Sequence, residues 1–137
     1  GLLSFLDVAR FDWVGAFSYY REEGTPAAAM KPQVPTAVRE RRRQELLAKQ
    51  EAISAEKNRA LLGKRLKVLV EKETSDGWVG RSYREAPEID GLVRIAPSGL
   101  LARARAIKPG DFLTVEVTGA EAYEVYGRVP AAEKAED

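Results

Sequence analysis

Two stretches of alternating side chains constrain this chain more than any other feature. Leu66, Val68 and Val70 alternate with Arg65, Lys67, Leu69 and Glu71, and Leu113, Val115 and Val117 repeat the pattern downstream. A period of two sends successive side chains to opposite faces, so each stretch reads as a half-buried β-strand. Turn chemistry punctuates them at Ser75-Asp76-Gly77 and Lys108-Pro109-Gly110-Asp111. Strands are expected near 65–72, 78–82, 92–95, 112–118 and 123–128. Five short strands that close on themselves remove exposed edges, as in an OB-like barrel. Leu66, Val68, Val70, Leu113, Val115 and Val117 should point inward, each contributing roughly 1.5–3 kcal/mol when fully buried.

Composition narrows what such a barrel can do. The 137 residues contain neither cysteine nor histidine, and the formal net charge is +1. A chain without cysteine makes no disulfide and offers no thiolate to zinc or to an iron–sulfur cluster. Without histidine it lacks the commonest general base and metal ligand, and no Ser/His/Asp set can form. Leu62-Gly63-Lys64-Arg65 lacks the first glycine and the hydroxyl of a phosphate-binding loop. No apolar run reaches the roughly 18 residues of a membrane span, and Asp7 and Arg10 interrupt the start too early for a signal peptide. The expectation is a soluble, cytoplasmic piece of a longer protein, since the first residue is Gly1 rather than Met.

The connection from Gly80 to Gly91 joins two expected strands and holds Pro87, several charges and two glycines. Those features mark a surface loop, where binding residues concentrate. Arg81, Tyr83, Arg84, Arg94, Arg103, Arg105 and Lys108 give the barrel a basic, partly aromatic surface, the recipe for single-stranded nucleic acid. Glu85, Glu88 and Asp90 oppose it, because carboxylates repel a phosphate backbone. The connection suits a basic protein better, with Arg81, Tyr83, Glu88 and Asp90 as candidate contacts. A Pro-stiffened turn through Asp90-Gly91 into the next strand explains the same residues without a partner.

Upstream, Leu2, Leu3, Phe5, Leu6 and Val8 recur as on a helix with one buried face, and 13–17 is a continuous apolar run expected to form a buried strand. Together they make either a small cap on the barrel or one repeat of an α/β architecture. Glu22 and Glu23 are sequence neighbours, which rarely converge on one substrate atom, so catalysis by the pair is disfavoured. Thr36 can cap a long helix after Pro35, with Val38, Leu46, Ile53 and Ala60 as a narrow apolar stripe and Gly63 as its terminator. Arg41-Arg42-Arg43 lies among Glu40 and Glu45 and reads as a solvated face.

Three of these stretches carry a family resemblance. Arg81-Ser82 followed by Ala86-Pro87-Glu88-Ile89-Asp90-Gly91 resembles the TRAM domain of the RimO-type methylthiotransferases. Tyr19-Tyr20-Arg21-Glu22-Glu23-Gly24-Thr25-Pro26-Ala27-Ala28, with Gln33-Val34-Pro35, resembles the end of their radical-SAM barrel, although Tyr20 stands where the family usually has serine. Gln50 and Ile53-Ser54-Ala55-Glu56 are similar to their linker helix. The resemblance implies an α+β chain: 1–35 as the last helix-strand portion of an α/β radical-SAM barrel, 36–63 as the linker helix, 64–129 as the TRAM barrel and 130–137 as a flexible tail. It implies a parent enzyme that methylthiolates an aspartate of small-subunit ribosomal protein number twelve. That enzyme would use S-adenosylmethionine and a pair of four-iron four-sulfur clusters held by cysteines upstream of Gly1, some in a CxxxCxxC loop. This chain would bind no cofactor and supply no catalytic residue. Its partners would be the ribosomal protein or ribosome and the rest of the parent enzyme. An RNA-binding TRAM module is the alternative.

Overall fold

The computed structural model describes residues 1–87, 90–97 and 107–130. Its elements, in chain order, are α1 (Leu2–Ala9), α2 (Pro26–Ala29), α3 (Thr36–Arg59), β1 (Arg65–Thr74), β2 (Gly77–Arg81), β3 (Leu92–Ala96), β4 (Phe112–Ala120) and β5 (Glu124–Arg128). They fall into two compact units, Gly1–Ile53 and Ser54–Asp137, the division lying inside α3.

In the second unit the alternating stretches form a closed barrel in the order β1-β2-β3-β5-β4. Every pair is antiparallel except β3 with β5. Leu66, Val68, Val70, Val115 and Val117 are buried as expected, and Val93, Ile95, Ile107 and Val125 complete the core. Leu113 packs against this cluster only partly buried. Glycines, Gly80 and Gly127 among them, permit the close approach of strands that such a small barrel needs. A Cβ on Gly80 would run into the Leu69 carbonyl, and one on Gly127 would strike the Val115 side chain. At the barrel entrance Gly63 adopts a positive φ of 75° and donates its amide to the Val117 carbonyl at 2.9 Å.

In the first unit, Leu6, Leu46 and Ile53 form a small core against which Val14, Ala16 and Leu47 pack. Lys49 Nζ lies 2.7 Å from Asp7 Oδ1. Gln50 is buried on α3, its Nε2 donating to the Phe11 carbonyl at 2.8 Å. Residues 13–17 do not form the expected strand. They carry no ladder hydrogen bonds, and Phe17 is 95% exposed. A strand persists only beside a neighbour that accepts its hydrogen bonds, and the described residues of this unit offer none. Thr36 is also placed differently from the expectation. It is already helical, and the Pro35 carbonyl accepts the first amides of α3, from Val38 and Arg39. The Thr36 hydroxyl instead accepts from Arg39 Nη2 at 2.8 Å. The Arg41–Arg43 tract is a solvated face: Arg43 pairs with Glu40 at 2.6 Å and Arg41 with Glu45 at 3.6 Å.

Candidate docking surface

The connection between β2 and β3 is shaped by its own side chains. Just after β2, Ser82 is buried, and both its amide and its hydroxyl donate to Glu85 Oε2 at 2.7 Å. The Glu85 carboxylate is therefore turned inward, only 6% exposed, and it fixes the first half of the loop. The expectation of three acids on one surface fails here, because a carboxylate that accepts buried donors cannot also face a partner. Asp90 accepts the Ala86 amide at 3.0 Å while staying partly exposed. Tyr83 is 83% exposed.

Of the candidate contacts, the connection carries Tyr83, which is exposed, and Asp90, which is partly exposed. Arg81 is directed along the sheet, where the register that sets Leu69 beside it brings Glu71 within 2.7 Å of its Nε. Glu88 lies outside the described residues, as do Arg103 and Arg105.

Arg94 and Arg84 of the basic-surface reading, and Arg128, also in the barrel unit, have partners within the chain. Arg94 donates from Nε and Nη2 to the two oxygens of Glu124, both at 2.7 Å. This paired contact, joined by the Tyr126 hydroxyl at 2.8 Å, holds the Glu124 carboxyl down at about 2 and raises Arg94 above its ordinary value. Arg128 reaches Glu116 at 3.4 Å, and Arg84 donates to the Asn58 side chain at 2.8 Å. Lys67 lies 4.7 Å from the centroid of the exposed Phe112 ring. The carboxylates of Glu71, Glu124 and Glu116 offset the charges of Arg81, Arg94 and Arg128 on the barrel.

In the first unit, the Glu22-Glu23-Gly24-Thr25-Pro26 loop is a helix entry. Thr25 Oγ1 donates to the Glu22 carbonyl at 2.8 Å and accepts the Ala28 amide at 3.3 Å, while Gly24 takes a φ of +81°. Both glutamates are exposed. Among the described residues no three His, Cys, Asp or Glu side chains are grouped to hold a metal ion. A chain with no cysteine and no histidine gives an iron–sulfur cluster no thiolate or imidazole, so its residues do not fit that cofactor. No described helix is long and apolar enough to cross a membrane.

One residue that the alternation does not reveal is Asn58, fully buried in the last turn of α3. Gln50, Ser54 and Asn58 recur every four residues and are all buried. That spacing marks one helix face and was the available signal.

Closed topology, five strands and a helix leading into the first of them define a TRAM barrel, and a family model for the TRAM domain matches residues 62–129. Similarity extends well beyond the barrel. The chain is 44% identical over 133 residues to the ribosomal protein uS12 methylthiotransferase RimO of Anaeromyxobacter sp. strain K, covering 95% of this chain and 27% of that protein. The proteins of the same name from Desulfitobacterium hafniense strain Y51 and Paraburkholderia xenovorans strain LB400 are 42% and 41% identical, over 93% of this chain and 28% and 27% of theirs. The chain belongs to the RimO-type methylthiotransferases, as a C-terminal part that includes the TRAM domain. It spans little more than a quarter of the relatives it matches.

Proposed function

We propose that this TRAM portion docks the basic ribosomal protein uS12 so that a methylthiotransferase active site elsewhere in the parent enzyme can reach its aspartate. The state of the arginines carries this reading. Arg81, Arg94 and Arg128 are each paired with a glutamate and Arg84 with Asn58, while Tyr83 and part of Asp90 face outward from a pre-shaped connection. Arginines already paired with carboxylates attract phosphate weakly, and an exposed tyrosine on the same connection as a carboxylate suits a Lys- and Arg-rich protein. The names of the relatives supply the substrate; a parent enzyme that uses S-adenosylmethionine and iron–sulfur clusters in the cytoplasm is part of the same proposal. In this reading residues 1–35 close the parent's barrel, which accounts for the absence of a strand at 13–17 in the first unit and for the 95% exposure of Phe17.

The test is a paired titration of the chain with purified uS12 and with unmodified tRNA, at low and physiological salt. Saturable binding to uS12, weakened at least tenfold when Glu88 and Asp90 are both replaced by lysine, is the expected result. Binding to tRNA alone, falling steeply with salt, overturns the docking reading. Lys67 over the Phe112 ring is the observation that favours that second reading, since a cation beside an exposed ring is how small barrels hold single strands.

A further inference from the structure

Parallel pairing of β3 with β5 sets the first residues of the two strands side by side, Leu92 beside Glu124. The 82–91 connection and the 120–123 turn therefore leave the barrel at the same rim. A backbone bond ties them there, from the Leu92 amide to the Tyr123 carbonyl at 3.1 Å. Asn58 adds a second tie. Its Nδ2 donates to the Glu121 and Ala122 carbonyls at 2.7 and 3.2 Å, and its Oδ1 accepts from Arg84 Nη1 at 2.8 Å. The carbonyls can only accept and the guanidinium can only donate, so the buried side chain must offer both an acceptor and a pair of donors. An amide does so. A carboxylate has no donor, and a hydroxyl has one. The two segments joined in this way each present an exposed ring, Tyr83 at 83% and Tyr123 at 51%. Tyrosine supplies large contact area at low entropic cost in protein interfaces.

We infer that Asn58 is a positioning residue that holds the connection and the turn as one recognition platform, on which Tyr123 and Glu121 meet the basic partner together with Tyr83 and Asp90. This rests on the docking reading above and extends it to a turn that sequence alone did not single out. Segments already held in place lose less freedom on binding, which is how a residue remote from the partner raises affinity.

The 137-residue chain and its variants are titrated with purified uS12 at physiological salt, with amide exchange followed in parallel. Tyr123→Ala and Glu121→Lys are each expected to weaken binding by about tenfold. Asn58→Asp keeps an acceptor for Arg84 but sets an oxygen against two carbonyls. It is expected to speed exchange at the Glu121 and Leu92 amides and to weaken binding by roughly tenfold, with the Val115 and Val125 amides still protected. Arg84→Gln releases the connection alone and is expected to weaken binding as well, so it decides the matter if Asn58→Asp fails to fold. A merely structural Asn58 would lower the melting midpoint yet leave affinity, measured well below that midpoint, unchanged. That result overturns the inference. Full affinity in Tyr123→Ala and Glu121→Lys overturns it too, while Asp90→Lys still blocking uS12 would leave the docking reading standing. Failure of the unsubstituted chain to bind uS12 at all removes both, and that arm tells the two failures apart.

Discussion

The barrel strands and residues 13–20 are built from the same kinds of side chain, Val, Phe, Trp and Tyr among them, yet only the barrel makes sheet. In the barrel every strand has a neighbour on each side, so alternation is converted into a core in which Val68, Val93 and Val115 are wholly buried. At 13–20 the same propensity finds no ladder, and Phe17 and Tyr20 stand 95% and 84% exposed. Strand propensity is a statement about fitting a pleated, half-covered surface, and it lapses where no such surface exists.

That contrast can be attacked from both sides. Val68→Asp places an uncompensated carboxylate in the barrel core and is expected to cost about 4 kcal/mol or more. Urea melts followed by tryptophan fluorescence check it, and an unchanged midpoint would mean the barrel is not the cooperative unit its closure indicates. Leu6→Ala removes the most buried side chain of the first unit's core, at 2% exposure, and is expected to cost about 2–3 kcal/mol locally. Amides of α1 should exchange faster while those of β1 and β4 keep their protection, and an equal loss in both units would erase the distinction between them.

Acid sharpens the comparison within the barrel. The Arg94 contact and the Tyr126 hydroxyl hold Glu124 at about 2, below its ordinary 4.5. A lowered carboxylate contributes stability that is complete above its unfolded value and disappears as pH falls toward its folded one. Glu124→Gln is therefore expected to cost roughly 1 kcal/mol at neutral pH, the pair being partly open to solvent. The cost should vanish near pH 2, and the same cost at both ends of the range would refute an ionic origin. The smallest effect belongs to Phe17→Ser, expected to change stability by less than about 0.5 kcal/mol. Calorimetry should show the shift within error, and a clear destabilisation would mean that Phe17 is covered in the isolated chain.

Most of the barrel could be read directly because alternation and turn chemistry are local signals. Leu66, Val68, Val70, Val115 and Val117 declare their inward face by spacing alone. Glu85 could not be placed by that route. Whether a loop carboxylate faces water or folds back onto Ser82 depends on where the backbone puts two donors, and no periodicity encodes that. Asn58 was hidden for a related reason. Its partners, Arg84, Glu121 and Ala122, lie far along the chain and converge on it only once the barrel has closed. The run at 13–17 failed in the opposite sense, since its local signal was sound but the described residues of its unit set no strand beside it.

Closure has a further consequence for how anything can be recruited to this domain. A sheet with a free margin can capture an extended peptide by lending it backbone hydrogen bonds, a mode of recognition that asks little of the peptide's side chains. Here β4 returns to β1 and the ladder has no margin to lend. A partner must be met by side chains at the rims and on the outer wall, so its identity is checked residue by residue. Variation in two short loops can then retune the choice while the core that carries them stays the same.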